Sequence, residues 1–329
     1  MERRKDNLEK LLYRSREISW NRFGKRIYFY VPSFVHYKSK YASSMNIFFP
    51  SISITGTYCA LKCKHCEGKL LSTMFSARSP NKLVEICLKI KKSGGIGCLI
   101  SGGCLPSGRV PLKPYLETIA SIKKRLGLKI FVHTGLIDFE TAKMLREAKV
   151  DAALIDIIGS DETIREVYRL NASVHNFEDS LKALKISGIP YVPHVLVGLH
   201  YGKIKGEYDA LKMISKYNPS ALTVIVFFPI KGTAMENVEP PSPIEVAKII
   251  AEARLLMPDV PITLGCARPK REHRIKTDIL AVRAGVNAIV FPHDLAIKEA
   301  EKTGLEIFFS PVCCSNIFLD IISTSESNK

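Results

Sequence analysis

The chain has 329 residues, 46% of them hydrophobic and 24% charged, with a formal net charge of +16 and nine cysteines. It is long enough to bury a full core, as one large α/β domain or two smaller ones, and no apolar run in it reaches bilayer-spanning length. The odd cysteine count and a charged N-terminus without a signal-type apolar stretch argue against a secreted, disulfide-stapled protein and for reduced, metal-binding thiols in the cytoplasm.

Nine lysines and arginines crowd residues 3–26 into a basic arm, followed by a short apolar segment at 27–31. Much of the remaining positive charge comes as short pairs, Lys91-Lys92 and Lys123-Lys124, on helical patterns, which reads as solvated helix faces. Without the aromatic–basic interleaving of single-strand binders, the charge favours an acidic protein partner over nucleic acid. Strand-like and helix-like runs then alternate. The strand candidates are 51–56, 97–101, 129–134, 152–157, 191–197, 222–228, 261–266 and 287–291, each short, apolar and largely β-branched or aromatic, as buried parallel strands should be. Between them lie helical patterns such as Leu83, Ile86, Cys87 and Ile90, or Leu181, Leu184 and Ile186. Ser79-Pro80 and Ser242-Pro243 read as N-cap and first helical position. Eight βα units in succession predict an α/β fold, a (β/α)8 TIM-type barrel. The expected layout is a basic extension over 1–44, the barrel over 45–304, and a C-terminal cysteine-bearing segment over 305–329, disordered from Thr324.

In such a barrel the chemistry sits at the C-terminal strand ends. The first strand end leads into Cys59-Ala-Leu-Lys-Cys63-Lys-His-Cys66, which sets three thiolates on one small loop. Three thiolates can hold three irons of a [4Fe–4S] cube and leave the fourth open. Cys63-x2-Cys66 alone would also suit half of a zinc site, but no other C-x2-C exists in the chain. The other strand ends carry Gly102-Gly103-Cys104, His133, Asp156, His194 with Gly198 beyond it, Cys266 with Arg268, and His293. Cys87 lies on an apolar helix face and Cys98 starts a strand, so both read as structural. Cys104 and Cys266 at strand tops, with Cys313 and Cys314 on a tail folding across the barrel mouth, suit a second Fe–S cluster above the first. Adjacent Cys313 and Cys314 point opposite ways if extended, which would leave three ligands.

The cysteine motif resembles that of the radical S-adenosylmethionine (SAM) superfamily. The two-cluster barrel resembles the superfamily's biotin synthase/lipoyl synthase branch. Within that branch the phrases at 100–111, 156–159, 193–202 and 265–269 look like the archaeal two-protein lipoyl synthase. The resemblance covers roughly residues 45–315. It implies that Cys59, Cys63 and Cys66 hold the SAM cluster, and that SAM lies along His65, Gly102, Gly103, Asp156, His194 and Gly198. It further implies that Cys104, Cys266 and Arg268 act in catalysis, with Cys104, Cys266, Cys313 and Cys314 on an auxiliary [4Fe–4S] cluster that donates sulfur to a protein-bound octanoyl chain. The partners implied are an octanoylated lipoyl carrier domain, a second lipoyl synthase protein and an electron donor such as ferredoxin. The chain departs from biotin synthase in carrying His133 and His194 where that enzyme takes auxiliary ligands from the third and fifth strands. It departs from the family motif in carrying Cys104 where many members have Glu. Other readings consistent with the triad are sulfur insertion of the biotin or RNA methylthio type, and a non-catalytic Fe–S scaffold.

Overall fold

The computed structural model describes residues 2–44 and 47–326. All eight expected strands form, as β2 (Ser51–Ser53), β4 (Gly97–Ser101), β5 (Lys129–His133), β6 (Ala152–Asp156), β7 (Tyr191–Val197), β8 (Leu222–Val226), β9 (Ile262–Leu264) and β10 (Ala288–Val290). Three more join them: β1 (Arg26–Tyr30), β3 (Phe75–Ser76) and β11 (Glu306–Ser310). Every pairing is parallel, in the order β11-β1-β10-β9-β8-β7-β6-β5-β4-β2-β3. The result is a TIM-type α/β barrel with a modified seam. The eighth barrel strand, β10, pairs with β1 rather than with β2. A link from Ser33 N to Phe49 O, at 3.2 Å, bridges the two sides.

Alternate residues of each strand feed two separate cores, as the period of two requires. One face, with Ile130, Val132, Ala153, Ile155, Val195 and Val224 buried, packs on the helices. The other, with Tyr28, Tyr30, Phe131, Leu154, Val192 and Val290, fills the barrel interior. Local sequence sets the helix starts where expected. Ser79 accepts from Lys82 N ahead of Pro80, and Ser242 forms a capping box with Glu245 ahead of Pro243. Leu83, Ile86, Cys87 and Ile90 are buried as their spacing predicts. Ile186 is not: it is 62% exposed, while Leu181 and Leu184 are buried.

The ends of the chain differ from expectation. The basic arm is a 22-residue helix, Glu2–Phe23, packed on helices Pro243–Leu256 and Arg271–Arg283. Gly285 at φ +76° allows this, because a Cβ there would lie 2.7 Å from Arg16 Cα. β1 and β11, from the two terminal segments, are built into the sheet. Of the tail expected to be disordered, residues 324–326 end a helix that runs over Ile317–Glu326, and residues 327–329 lie outside the described residues. No described helix is long and apolar enough to cross a membrane.

Candidate metal and cofactor site

The loop leaving β2 is folded tightly by its own backbone. Cys66 N and Glu67 N both donate to Cys63 O, at 3.0 and 2.8 Å, and Lys69 N donates to Cys66 O at 2.8 Å. Lys62 and Glu67 take left-handed φ values of 45° and 48° to make these turns. Two neighbours hold the loop in place. Ala60 N donates to Cys104 O and Lys64 N to Val167 O, each at 2.8 Å. Cys59, Cys63 and Cys66 thereby converge on one wall of a cavity of about 350 Å³ inside the barrel. Burial and the neighbouring thiols push Cys63 up strongly and Cys66 to about 11. Three cysteine thiols on one loop are the donor type that holds an iron–sulfur cluster, and binding one would displace their protons.

Cys104 belongs to this wall. It is pushed up to about 12 by burial and then by Cys59, Asp156 and Cys66. The structure thus places Cys104 beside Cys59 and Cys66, whereas the sequence grouped it with Cys266. The reason is the Gly102-Gly103 turn, which lays the chain directly on the cysteine loop. Gly103 N donates to Thr55 Oγ1 at 2.7 Å, and a Cβ on Gly103 would fall 2.0 Å from Tyr58 O and 2.6 Å from Cys59 Cα. The cysteine loop itself demands close approach at Gly103, and both glycines also line the cavity.

Cys266, Cys313 and Cys314 form a second set, which lines the same cavity. Cys313 and Cys314 are 3% and 7% exposed and pack with the barrel-interior residues, with Cys266 half-buried against them. The adjacent thiols of Cys313 and Cys314 act on one another, which pulls Cys313 down and pushes Cys314 up. Burial raises Cys266. The C-terminal segment does not cross the barrel mouth as expected. It turns into the interior, where Asn316 Oδ1 accepts from Lys129 Nζ at the start of β5 and Asp320 Oδ2 accepts from Tyr30 OH, at 3.1 and 2.5 Å. Both adjacent cysteines reach the cavity because the chain turns at Cys314–Asn316 instead of staying extended. Cys98, by contrast, is buried at the helix face, hydrogen-bonded with Cys87, as expected of a structural pair.

Between the two thiol sets lie the ends of β5, β6 and β7. Asp156 Oδ1 is 3.4 Å from His194 Nδ1 and 3.7 Å from His133 Nε2, and Oδ2 accepts from Tyr168 OH at 3.2 Å. Burial opposes the Asp156 charge, but His133 and His194 outweigh it and hold the carboxyl well below the usual range. His65 stacks on Tyr168, with centroids 5.4 Å apart, and burial pulls it down to about 4, so it is neutral. Its Nδ1 is sealed from solvent and has no partner. A buried flat ring carrying an unused polar atom suits a heterocycle such as adenine. Tyr168 escaped the sequence reading: it ends the turn Ile164–Tyr168, where an aromatic passes for core.

Two expected site residues fall outside the cavity. Gly198, at φ +78°, faces Pro241, and its N–H donates to Glu207 Oε1 at 2.7 Å. Arg268 is wholly consumed by the protein. Its Nε and Nη2 donate to the Asp278 carboxylate at 2.7 and 3.0 Å, Nη1 to Gly265 O at 2.7 Å, and Nη2 also to Phe291 O at 3.1 Å. It positions the loop that carries Cys266 and presents nothing to a substrate.

Residues 53–214 match the Radical SAM superfamily, and residues 223–304 match the Biotin and Thiamin Synthesis associated domain. Among curated proteins, the chain is 27% identical to a biotin synthase of Leptospira biflexa serovar Patoc, over 66% of this chain and 62% of that one. It is 27% identical to a biotin synthase of Ruthia magnifica subsp. Calyptogena magnifica, over 72% and 74%. The chain thus spans a little under two thirds of the length of the first of these relatives. Among solved structures it resembles methylornithine synthase (PylB), with a TM-score of 0.64 at 19% identity over 96% of this chain and 92% of that one. It also resembles HydG, a maturase of the [FeFe]-hydrogenase, with a TM-score of 0.65 at 14% identity over 98% and 73%. These two likenesses concern the fold. Membership of the matched family implies a [4Fe–4S] cluster and SAM, for which the Cys59–Cys66 loop and the His65–Tyr168 stack are the fitting donors. The chain belongs to the radical SAM superfamily and fits its biotin synthase/lipoyl synthase branch.

Proposed function

We propose that this protein is a radical SAM enzyme that inserts sulfur into an unactivated carbon of an apolar acyl substrate. The observation that carries the reading is a single cavity with Cys59, Cys63 and Cys66 on one wall and Cys266, Cys313 and Cys314 on another. When bound, a cluster at the first set supplies, with SAM, a radical able to take hydrogen from a methylene, and a cluster at the second set supplies sulfur. The chain's own residues do the rest. Leu99, Leu154, Leu196, Ile225 and Val290 wall the space between the sets with apolar side chains. They exclude water and hold a hydrocarbon chain where both sets can act on it. His65 and Tyr168 offer a stacked face to the adenine of SAM. The Arg268–Asp278 pair fixes the approach of Cys266.

The name biotin synthase on the curated relatives favours a dethiobiotin-like precursor. A second reading, an octanoyl chain on a lipoyl carrier domain, is favoured by His133 and His194, the departures from biotin synthase at β5 and β7. In that reading an acidic carrier domain docks on the basic surface. A second lipoyl synthase protein completes the product, and a ferredoxin-type donor supplies electrons. Anaerobic turnover of the reconstituted full chain with dethiobiotin and with octanoyl-lysine carrier domain, read by mass spectrometry, tests both. Thiolated product from either supports sulfur insertion and identifies the substrate. 5′-Deoxyadenosine without any sulfurated product from either contradicts it.

A further inference from the structure

We infer that His133, Asp156 and His194 form a binding site for one divalent first-row transition ion, zinc or ferrous iron, separate from both thiol sets. The inference goes beyond the sulfur-insertion reading and does not depend on it. Three consecutive parallel strands, β5, β6 and β7, deliver the three side chains from their C-terminal ends. The three facing atoms make a nearly equilateral triangle. His133 Nε2 to His194 Nδ1 is 3.4 Å, His194 Nδ1 to Asp156 Oδ1 is 3.4 Å, and His133 Nε2 to Asp156 Oδ1 is 3.7 Å. Four-coordinate zinc with bonds of about 2.0–2.1 Å separates its ligand atoms by about 3.4 Å. These edges are long for hydrogen bonds, which weaken beyond about 3.2 Å. They match the edges of a coordination tetrahedron instead.

The second observation is Asp156 Oδ1. It is sealed from solvent and has no hydrogen-bond partner, with two imidazole nitrogens turned toward it. An inaccessible carboxylate oxygen left unpaired is costly, and a cation at the centre of the triangle removes that cost. The carboxylate is also oriented as a metal ligand should be. Its other oxygen accepts from Tyr168 OH at 3.2 Å, the outer hydrogen bond that commonly fixes ligand geometry. Two imidazoles and one carboxylate are borderline donors, suited to zinc or ferrous iron and unlike the all-thiolate sets on either side. All three residues line the cavity, so the fourth coordination position faces the space where substrate lies. An oxygen or sulfur donor of the substrate is the ligand class that position takes.

The test uses the full chain with its clusters reconstituted, one equivalent of zinc chloride, and desalting. Zinc is the probe because it is distinguishable from cluster iron. About one zinc per chain is expected, with X-ray absorption showing a nitrogen and oxygen shell at about 2.0–2.1 Å and imidazole outer scattering. His133→Ala/His194→Ala should retain almost none while keeping the wild-type iron count. Should that variant fail to load clusters, Asp156→Asn decides, with zinc affinity expected to fall by about ten-fold or more. No retained zinc in the wild type overturns the site. So does a sulfur shell near about 2.3 Å, or unchanged zinc affinity in a cluster-loaded Asp156→Asn or His133→Ala/His194→Ala variant. An ordinary hydrogen-bonded His–Asp–His network would give the first of these results.

Discussion

Arg268 and Gly103 show how a strand-end residue acquires its role from its neighbours. The Arg268 side chain is fully buried against Asp278, so removing it leaves a buried carboxylate without its cation, held among the described residues only by the His293 N–H. Arg268→Ala should lower stability by about 3–5 kcal/mol, measured by denaturant unfolding, and should loosen the Cys266 loop. Unchanged stability with lost turnover would restore the catalytic role first expected of it. For Gly103, a Cβ clashes with the backbone of the cysteine loop. Gly103→Ala should therefore lose about four irons, those of the first cluster. Full iron content with weakened SAM binding by calorimetry would show instead that the glycine serves the cofactor. The cysteine triad was legible because a spacing of three and two residues is itself the geometry of a loop ligand set. The partners of Arg268 and Gly103 were not, since Asp278 sits on the following helix and Tyr58 on another loop, and no local pattern announces such contacts.

At the scale of elements, caps were legible and packing faces only partly so. Ser79-Pro80 and Ser242-Pro243 start helices because side chain and ring act on their own neighbours. The N-terminal helix stayed hidden because its buried face is Leu12, Ser15 and Ser19, which carries little apolar periodicity. Asp138 caps helix Phe139–Glu147 by accepting from Thr141 N at 2.8 Å, and it pairs with Arg109. Burial pushes the Asp138 carboxyl up, but the Thr141 N–H and the Arg109 guanidinium outweigh it and hold it at about 2, below 3.8. A group depressed on folding adds stability above its unfolded pKa and loses it as pH falls through the folded one. Asp138→Ala should thus cost about 1 kcal/mol at neutral pH. That difference should shrink as pH falls below about 4 and vanish near about 2. A pH-independent difference in thermal unfolding would mean that the cap acts by packing rather than charge.

For the molecule as a whole, alternation of strand and helix predicted the barrel, and eight strands stand where the pattern put them. It did not reveal the seam, because β1 and β11 lie before and after the run of eight strands that the alternation marked. The seam matters to function. β11 leads the chain to the segment that carries Cys313 and Cys314 into the interior, where they meet Cys266 across the cavity from the first thiol set.

Two independent clusters on one cavity predict an iron content that counting can read. Iron and labile sulfide should be measured on the anaerobically reconstituted full chain and three variants, alongside SAM cleavage. The wild type and Cys104→Ala should each carry about eight irons, and the Cys59→Ala/Cys63→Ala/Cys66→Ala and Cys266→Ala/Cys313→Ala/Cys314→Ala variants about four each. Only the last of these triple variants should still form 5′-deoxyadenosine. A wild-type count of about four irons, or about eight irons retained without Cys266, Cys313 and Cys314, would rule out a second cluster on these residues.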